Sequence, residues 1–390
     1  MSREVSATTI ETDTFVPTKK ANVKIWVCSL KKNILSICFC LFVCSLILFS
    51  NTNFLAAKNG LILWATSVIP ALFPFFVATE LLSHTSIVSW LGKYLSPIMK
   101  PLFGVPGEGA FAFIMGLISG YPVGAKIVSN FKEKGICTQE EAERMLSFTN
   151  NSGPLFIVGT VGISLFGDSR IGLLLFVTHV LACISVGISL NLFSLHQRKK
   201  KKLSSNYSKY TSSSFVQTKN TTFSHSKVSL SSEETVSFSS LGEILGKSIM
   251  NSISTILLIG GFVVLFSVII SILNQSHLLE LASTIIAPVF SAFHIPTQLI
   301  NPILSGIVEL TNGVKLVANI PLKEISISIT ACSFLLGFGG FSVLLQVFSI
   351  ISKFGLSIKK YFWGKLLQGL FAAFYTFLAL QFLPWFQFNL

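Results

Sequence analysis

The sequence predicts an all-α polytopic membrane protein made of two inverted-topology repeats. Each repeat has three spans and a re-entrant hairpin, and one extra span precedes the first. Three observations carry this. The chain is 51% hydrophobic and only 12% charged, with a mean hydropathy of +0.71. Apolar runs long enough to cross a bilayer recur at 34–50, 60–82, 170–195, 249–273 and 362–388, which marks spanning helices. The chain also repeats itself: GLISGYPVGAKIVSN at 116–130 returns as GIVELTNGVKLVAN at 306–319, one residue shorter. Upstream, Pro97 and Pro106 match Pro288 and Pro296; downstream, Ser147, Phe148 and Gly153 match Ser333, Phe334 and Gly339. A membrane chain that duplicates a Gly-broken apolar segment places a substrate path at the interface of the copies.

The elements follow in order. Residues 1–30 are polar and read as disordered, and 31–59 as an uncleaved first span with its loop, since no good small-x-small cleavage site follows. Repeat 1 covers 60–195 and repeat 2 covers 247–390. A Ser/Lys-rich cytoplasmic linker, 196–246, lies between them. Each repeat should hold a full span (60–82; 249–273) and then an amphipathic Pro-containing stretch (86–103; 278–293). The echo segment follows (107–130; 297–319), then an interrupted apolar segment (146–166; 332–352) and a closing span (170–195; 362–388). Pro122 removes a helix hydrogen bond and drives Tyr121 from the α region. Two half-helices of about 11 residues would each reach ~16 Å, half a bilayer, at ~1.5 Å per residue. The echo therefore reads as a hairpin with its tip near the midplane. Thr138 with Glu141 forms a capping box that starts one soluble-looking helix.

Charge sets direction. From His196 through Lys247 lie nine Lys/Arg and three acids, a positive-inside signal rather than a nucleic-acid surface. With the N-terminus and linker cytoplasmic, Lys93, Lys100, Lys132, Lys134 and Arg144 fall inside. The equivalent stretches of repeat 2 carry only Lys323 and fall outside. The repeats are then inverted, with seven crossings and an outside C-terminus. The seven cysteines form no CxxC pair and read as small hydrophobes.

Four backbone breaks should meet near the midplane: Ser119-Gly120-Tyr121-Pro122, Asn150-Asn151-Ser152-Gly153-Pro154, Leu310-Thr311-Asn312-Gly313 and Gly337-Phe338-Gly339-Gly340. Lipid cannot satisfy unwound backbone, so it must be buried or line a cavity, and half-helix N-termini offer N–H groups to anions. The alternative is that the glycines only permit close helix packing. Gly124 lies in the first hairpin. Lys126 and Lys315 hold equivalent positions past each tip. They either face inward as a pair suited to a dianionic ligand or snorkel to the headgroups. Glu309 is a candidate for a coupling cation or a proton, with pairing to Lys315 as the structural alternative. Glu80 and His84 share a helix face near a span end, where an interfacial place is expected; His179 lies mid-span without a visible partner. No nucleotide-loop, HExxH or GxSxG motif occurs. The expectation is no enzyme, no cofactor and no metal site.

The 116–130 segment, followed by EEAERMLSFTNNSGP at 140–154, resembles the YlbJ (SpoVV) sporulation integral membrane protein family, whose members carry nucleoside-recognition or Gate-type repeats. SGYPVGAK with TNNSGP carries the resemblance, which covers roughly 60–388 outside the linker. It implies a protein of endospore-forming bacteria in the outer forespore membrane of the mother cell, moving dipicolinic acid toward the forespore. Gate-type repeats are in turn similar to those of concentrative nucleoside transporters, which use inverted repeats with hairpins. The expected partners are a small anionic substrate and the lipid bilayer, with no nucleic acid and with homo-oligomerisation left open. Competing readings are a cation-coupled nucleoside carrier and a non-transporting scaffold for spore assembly.

Overall fold

A computed structural model describes residues 19–210, 238–321 and 325–382. The first 18 residues, the centre of the linker, residues 322–324 with Lys323, and the last eight residues lie outside the described residues. Two units are distinguished, 1–53 and 54–390. In the first, the Lys19–Leu48 helix exposes Leu35, Phe39 and Leu41. That apolar exposure suits lipid, not water. Asn53 donates its amide to the Ser45 carbonyl at 3.1 Å.

In the second unit every described element is helical, and the same series appears twice. Repeat 1 opens in the Ser50–Leu63 helix, passes a π turn at Trp64–Val68 and continues as Ile69–Ser83. The Ile87–Phe103 helix turns off at 81°. Its exposed Trp90 and Tyr94 rings stand 4.8 Å apart, the kind of aromatic pair that sits at headgroup level. The half-helices Gly109–Ser119 and Val123–Glu133 come next, then Gln139–Thr149 with Leu155–Leu165, then Ser169–Tyr210. Repeat 2 runs Phe238–Gln275, Leu278–Ala292, Ile300–Val308 with Leu310–Ala318, Ile325–Phe338 with Gly340–Ile351, and Ile358–Phe382. Among the described residues, four helices are long and apolar enough to cross a membrane, or up to six if each bent pair counts as one span. The Ser169–Tyr210 helix carries on past the expected span end, through a lysine run with good helix propensity.

Packing between the halves is reciprocal. Ile69–Ser83 packs on Phe238–Gln275, and the closing helices Ser169–Tyr210 and Ile358–Phe382 pack on each other. Val123–Glu133 meets Gly340–Ile351, and Leu310–Ala318 meets Leu155–Leu165. Gln139–Thr149 meets Ile358–Phe382, and Ile325–Phe338 meets Ser169–Tyr210. Each of these contacts has a counterpart with the two halves exchanged. One core gathers Phe103, Phe111, Phe131 and Phe148 around the first hairpin. The other gathers Leu310, Val314, Val317 and Leu335 around the second. Tyr121 packs against both.

The echo glycines hold the hairpins closed. A Cβ on Gly116 or Gly124 would meet the Thr149 carbonyl oxygen, and one on Gly313 would run into the Gly306 Cα. Small residues let backbones approach this closely. Three of the four expected breaks are present, with helices ending at Ser119, Thr149 and Phe338. The fourth is displaced. Leu310–Ala318 is continuous helix, so Thr311, Asn312 and Gly313 are helical and the break is at Glu309, φ −143°. The Glu309 carboxylate fixes it there by accepting the N–H groups of Thr311 and Asn312 at 3.0 and 2.8 Å. Side-chain acceptance of this kind starts a helix.

Candidate functional site

The first hairpin ends at Ser119, whose hydroxyl pairs with Thr79 at 2.7 Å. Gly120 follows at φ +79°, a backbone region that a side chain disfavours. This turn sends the Tyr121 ring across to repeat 2. Its hydroxyl donates to the Leu336 carbonyl at 3.1 Å and sits where a Cβ on Gly339, φ +86°, would point. The tip of one repeat thus touches the break of the other.

The break after Thr149 supplies Asn150, Asn151 and Ser152, all buried. The Asn150 carbonyl oxygen accepts the Ala125 N–H at 3.3 Å, and its amide donates to the Tyr361 hydroxyl at 2.8 Å. The Asn151 carbonyl oxygen accepts from Lys365 Nζ at 3.2 Å, Gln368 Nε2 at 3.0 Å and the Cys183 thiol at 3.0 Å. Lys365 also donates to Gln368 Oε1 at 2.7 Å. Gln368 Nε2 lies 3.3 Å from His179 Nε2, while His179 Nδ1 is buried without a partner. Below these, the Thr376 hydroxyl bridges Thr178 at 2.9 Å and Ser333 at 2.7 Å.

Lys365 is the chemically decisive member. Its side chain is 0% exposed. Its Nζ lies 5.4 Å from the centre of the Tyr121 ring and 5.9 Å from that of Tyr361. Its hydrogen-bond partners are two neutral amides, and no described carboxylate pairs with it. An ammonium has three donors, and the Asn151 and Gln368 amides take two of them.

The other expected site residues are placed differently. Lys126 pairs with Glu80 at 3.1 Å and is 35% exposed; Glu80 also accepts from Asn251 at 2.6 Å. Lys315 is exposed, and no described bond joins it to Lys126 or to Glu309. Gly124 packs against the Thr149 carbonyl and Asn150, Gly313 crosses Gly306 within its hairpin, and Thr311 and Asn312 offer their N–H groups to Glu309. Sequence reasoning missed Lys365, Gln368 and Tyr361. Their signal is a lysine and a glutamine three apart in an otherwise apolar span, which places both on one helix face. The basic flank at Lys359 and Lys360 hides it. Cys183, expected as a plain hydrophobe, is part of the polar network.

The Gate family model, described as nucleoside recognition, matches residues 65–190 and 256–354. The chain is 37% identical over 330 residues to the sporulation integral membrane protein YlbJ of Bacillus subtilis, covering 84% of this chain and 77% of that one. The uncharacterized membrane protein YvoD of Bacillus subtilis is 34% identical over 31% of this chain and 36% of its own. The inner membrane protein YjiG of Escherichia coli K12 is 32% identical over 16% of this chain and 40% of its own. No solved structure matches the chain significantly. With the Gate match over more than half its length and a sporulation relative over most of it, the chain is an integral membrane protein of the YlbJ sporulation family.

Proposed function

We propose that the chain is a transporter that moves dipicolinic acid across the outer forespore membrane, from the mother cell toward the forespore. The observation that carries this is Lys365, an amine enclosed between the two repeats with two neutral amide partners, whose third N–H would be open to a ligand. One carboxylate of the substrate would take that donor, and the Tyr121 and Tyr361 rings would flank its ring. Lys365 replaces the Lys126/Lys315 pair as the anion-holding group.

The orientation belongs to the same reading. Segments at Asn33–Leu48, 60–82, 146–166, Ser169–His196, Leu241–Gln275, Ile325–Phe354 and Ile358–Phe382 would make seven crossings, with the hairpins entering from opposite faces. Alternating access would then rock one repeat against the other around Lys365. No catalytic step is assigned. The Gate description favours one second reading, a nucleoside carrier whose cargo would use the Asn150, Asn151 and Gln368 amides. Thermal stabilisation of the purified protein, screened over dipicolinate, its calcium complex and nucleosides, separates the two. Stabilisation by uridine and not by dipicolinate would overturn the proposal.

A further inference from the structure

The Ile87–Phe103 helix turns one face into the protein and one outward. It leaves the first span of repeat 1 at 81°, so it runs along the membrane surface if that span crosses. Its inner stripe is Gly92, Met99 and Phe103, all buried. Met99 and Phe103 belong to the core around the first hairpin. Gly92 seats the helix on the turn that opens this hairpin. A Cβ on Gly92 would meet the Glu108 side chain at 3.0 Å, and one on Gly107 would run into the Gly92 carbonyl oxygen. These contacts fix the rotation of the helix, and with it the residues that face out.

The outward arc is ordered by residue type. At ~3.6 residues per turn, Trp90, Tyr94, Pro97 and Pro101 run down its middle. Lys93 and Lys100 flank them on one edge, and Ile98 and Leu102 on the other. All of these are exposed. The helix carries no acid, and among the described residues no ion pair takes either lysine. The equivalent helix of repeat 2, Leu278–Ala292, is built differently. It exposes Leu278, Leu281, Ile285 and Val289 and has no Lys, Trp or Tyr. Its single charge, Glu280, pairs with His277 at 2.8 Å. The duplicated architecture therefore does not require a basic, aromatic edge; the first copy alone carries it.

We propose that this face binds anionic phospholipid headgroups. Lys93 and Lys100 each take the phosphate of one lipid, since ~1.5 Å per residue sets them ~10 Å apart along the axis. Trp90 and Tyr94 lie at headgroup level, where such rings collect, and Ile98 and Leu102 dip into the acyl chains. Charge complementarity selects the occupant: two unpaired ammonium groups with no acid on the helix favour a net negative headgroup over a zwitterionic one. Because the same helix seats the first hairpin through Gly92, the lipid holds one end of that hairpin in place. The proposal is independent of what the protein transports. A topology signal alone would act during insertion and leave the folded protein indifferent to headgroup charge.

The test is fluorescence quenching of the full chain in phosphatidylcholine nanodiscs. These are doped with chain-brominated phosphatidylglycerol or with chain-brominated phosphatidylcholine. The Trp90 signal is the difference between wild type and Trp90→Phe. Brominated phosphatidylglycerol should half-quench Trp90 at a mole fraction about fivefold lower than brominated phosphatidylcholine, the scale of one lysine at an anionic surface. The preference should shrink as salt is raised. Lys93→Gln with Lys100→Gln should bring the two mole fractions together at unchanged melting temperature, while Lys93→Arg with Lys100→Arg keeps them apart. Lys353→Gln with Lys359→Gln, exposed lysines elsewhere, should also keep them apart. Equal quenching by the two lipids in wild type would mean that any headgroup serves, and would overturn the proposal. So would quenching by neither, which would leave the face to water or to a protein partner, or a preference that survives the double glutamine variant.

Discussion

Lys365 combines full burial with neutral partners, and the two properties make opposite demands. Replacing a buried charge by an apolar side chain of similar length is often neutral or stabilising. Lys365→Met should therefore leave the melting temperature unchanged or raise it, while weakening dipicolinate binding by about 1.5–3 kcal/mol, the scale of a hydrogen bond to a charged group. A fall in both stability and binding would reduce the lysine to a structural role. Glu143 shows the contrast of a paired charge. Burial opposes its ionisation, but the Lys360 ammonium at 2.7 Å, the Ser357 N–H and the Gln139 amide outweigh burial and hold its carboxyl below the usual range. A depressed folded-state pKa stabilises above the unfolded value, about 4.3 for Glu, and that contribution is lost as pH falls through the folded value. Glu143→Gln should lower the melting temperature at neutral pH, with the deficit shrinking in acid; an equal deficit at all pH values would contradict the pairing. Asn150 and Asn151 were legible because polar residues at a break need no contact to be noticed. Lys365 was not, since burial is a property of the neighbours and Lys359 and Lys360 make it look like a span flank.

The hairpins show what an element-level reading can recover. Both were legible from the echo, and so was the capping box: the Thr138 hydroxyl accepts from Glu141 N–H, and the Glu141 carboxylate accepts from Thr138 N–H at 2.8 Å. Thr138→Ala should cost about 0.5–2 kcal/mol, read as a fall in unfolding free energy with transport retained. The exact break in the second hairpin was not legible. Gly313 looks like the breaker, yet the Glu309 carboxylate sets the helix start, and Gly313 serves the crossing with Gly306. The glycines therefore divide by role. Gly313→Leu drives a side chain into Gly306 and should reduce the yield of folded protein. Gly120→Leu strains a left-handed tip whose nearest neighbour is Gly153 N at 3.1 Å, and should abolish transport in protein that still reaches the membrane. Folded, active protein from Gly313→Leu would return that residue to the substrate path.

Over the whole molecule, the two copies were visible as sequence, and their reciprocal pairing was not, because contacts between the closing spans depend on the fold. Inversion predicts that Ser205→Cys and Asn389→Cys, introduced separately, label from opposite faces of the membrane. Labelling from one face would remove the inverted arrangement. The central claim is that the enclosed Lys365 network is a transport site for a dianionic ring. It is tested most directly by counterflow of labelled dipicolinate in proteoliposomes preloaded with unlabelled dipicolinate. Wild type should accumulate label transiently, with uridine unable to compete and with Lys365→Met inactive. Absence of counterflow in folded, reconstituted wild type, or full activity in Lys365→Met, would contradict it.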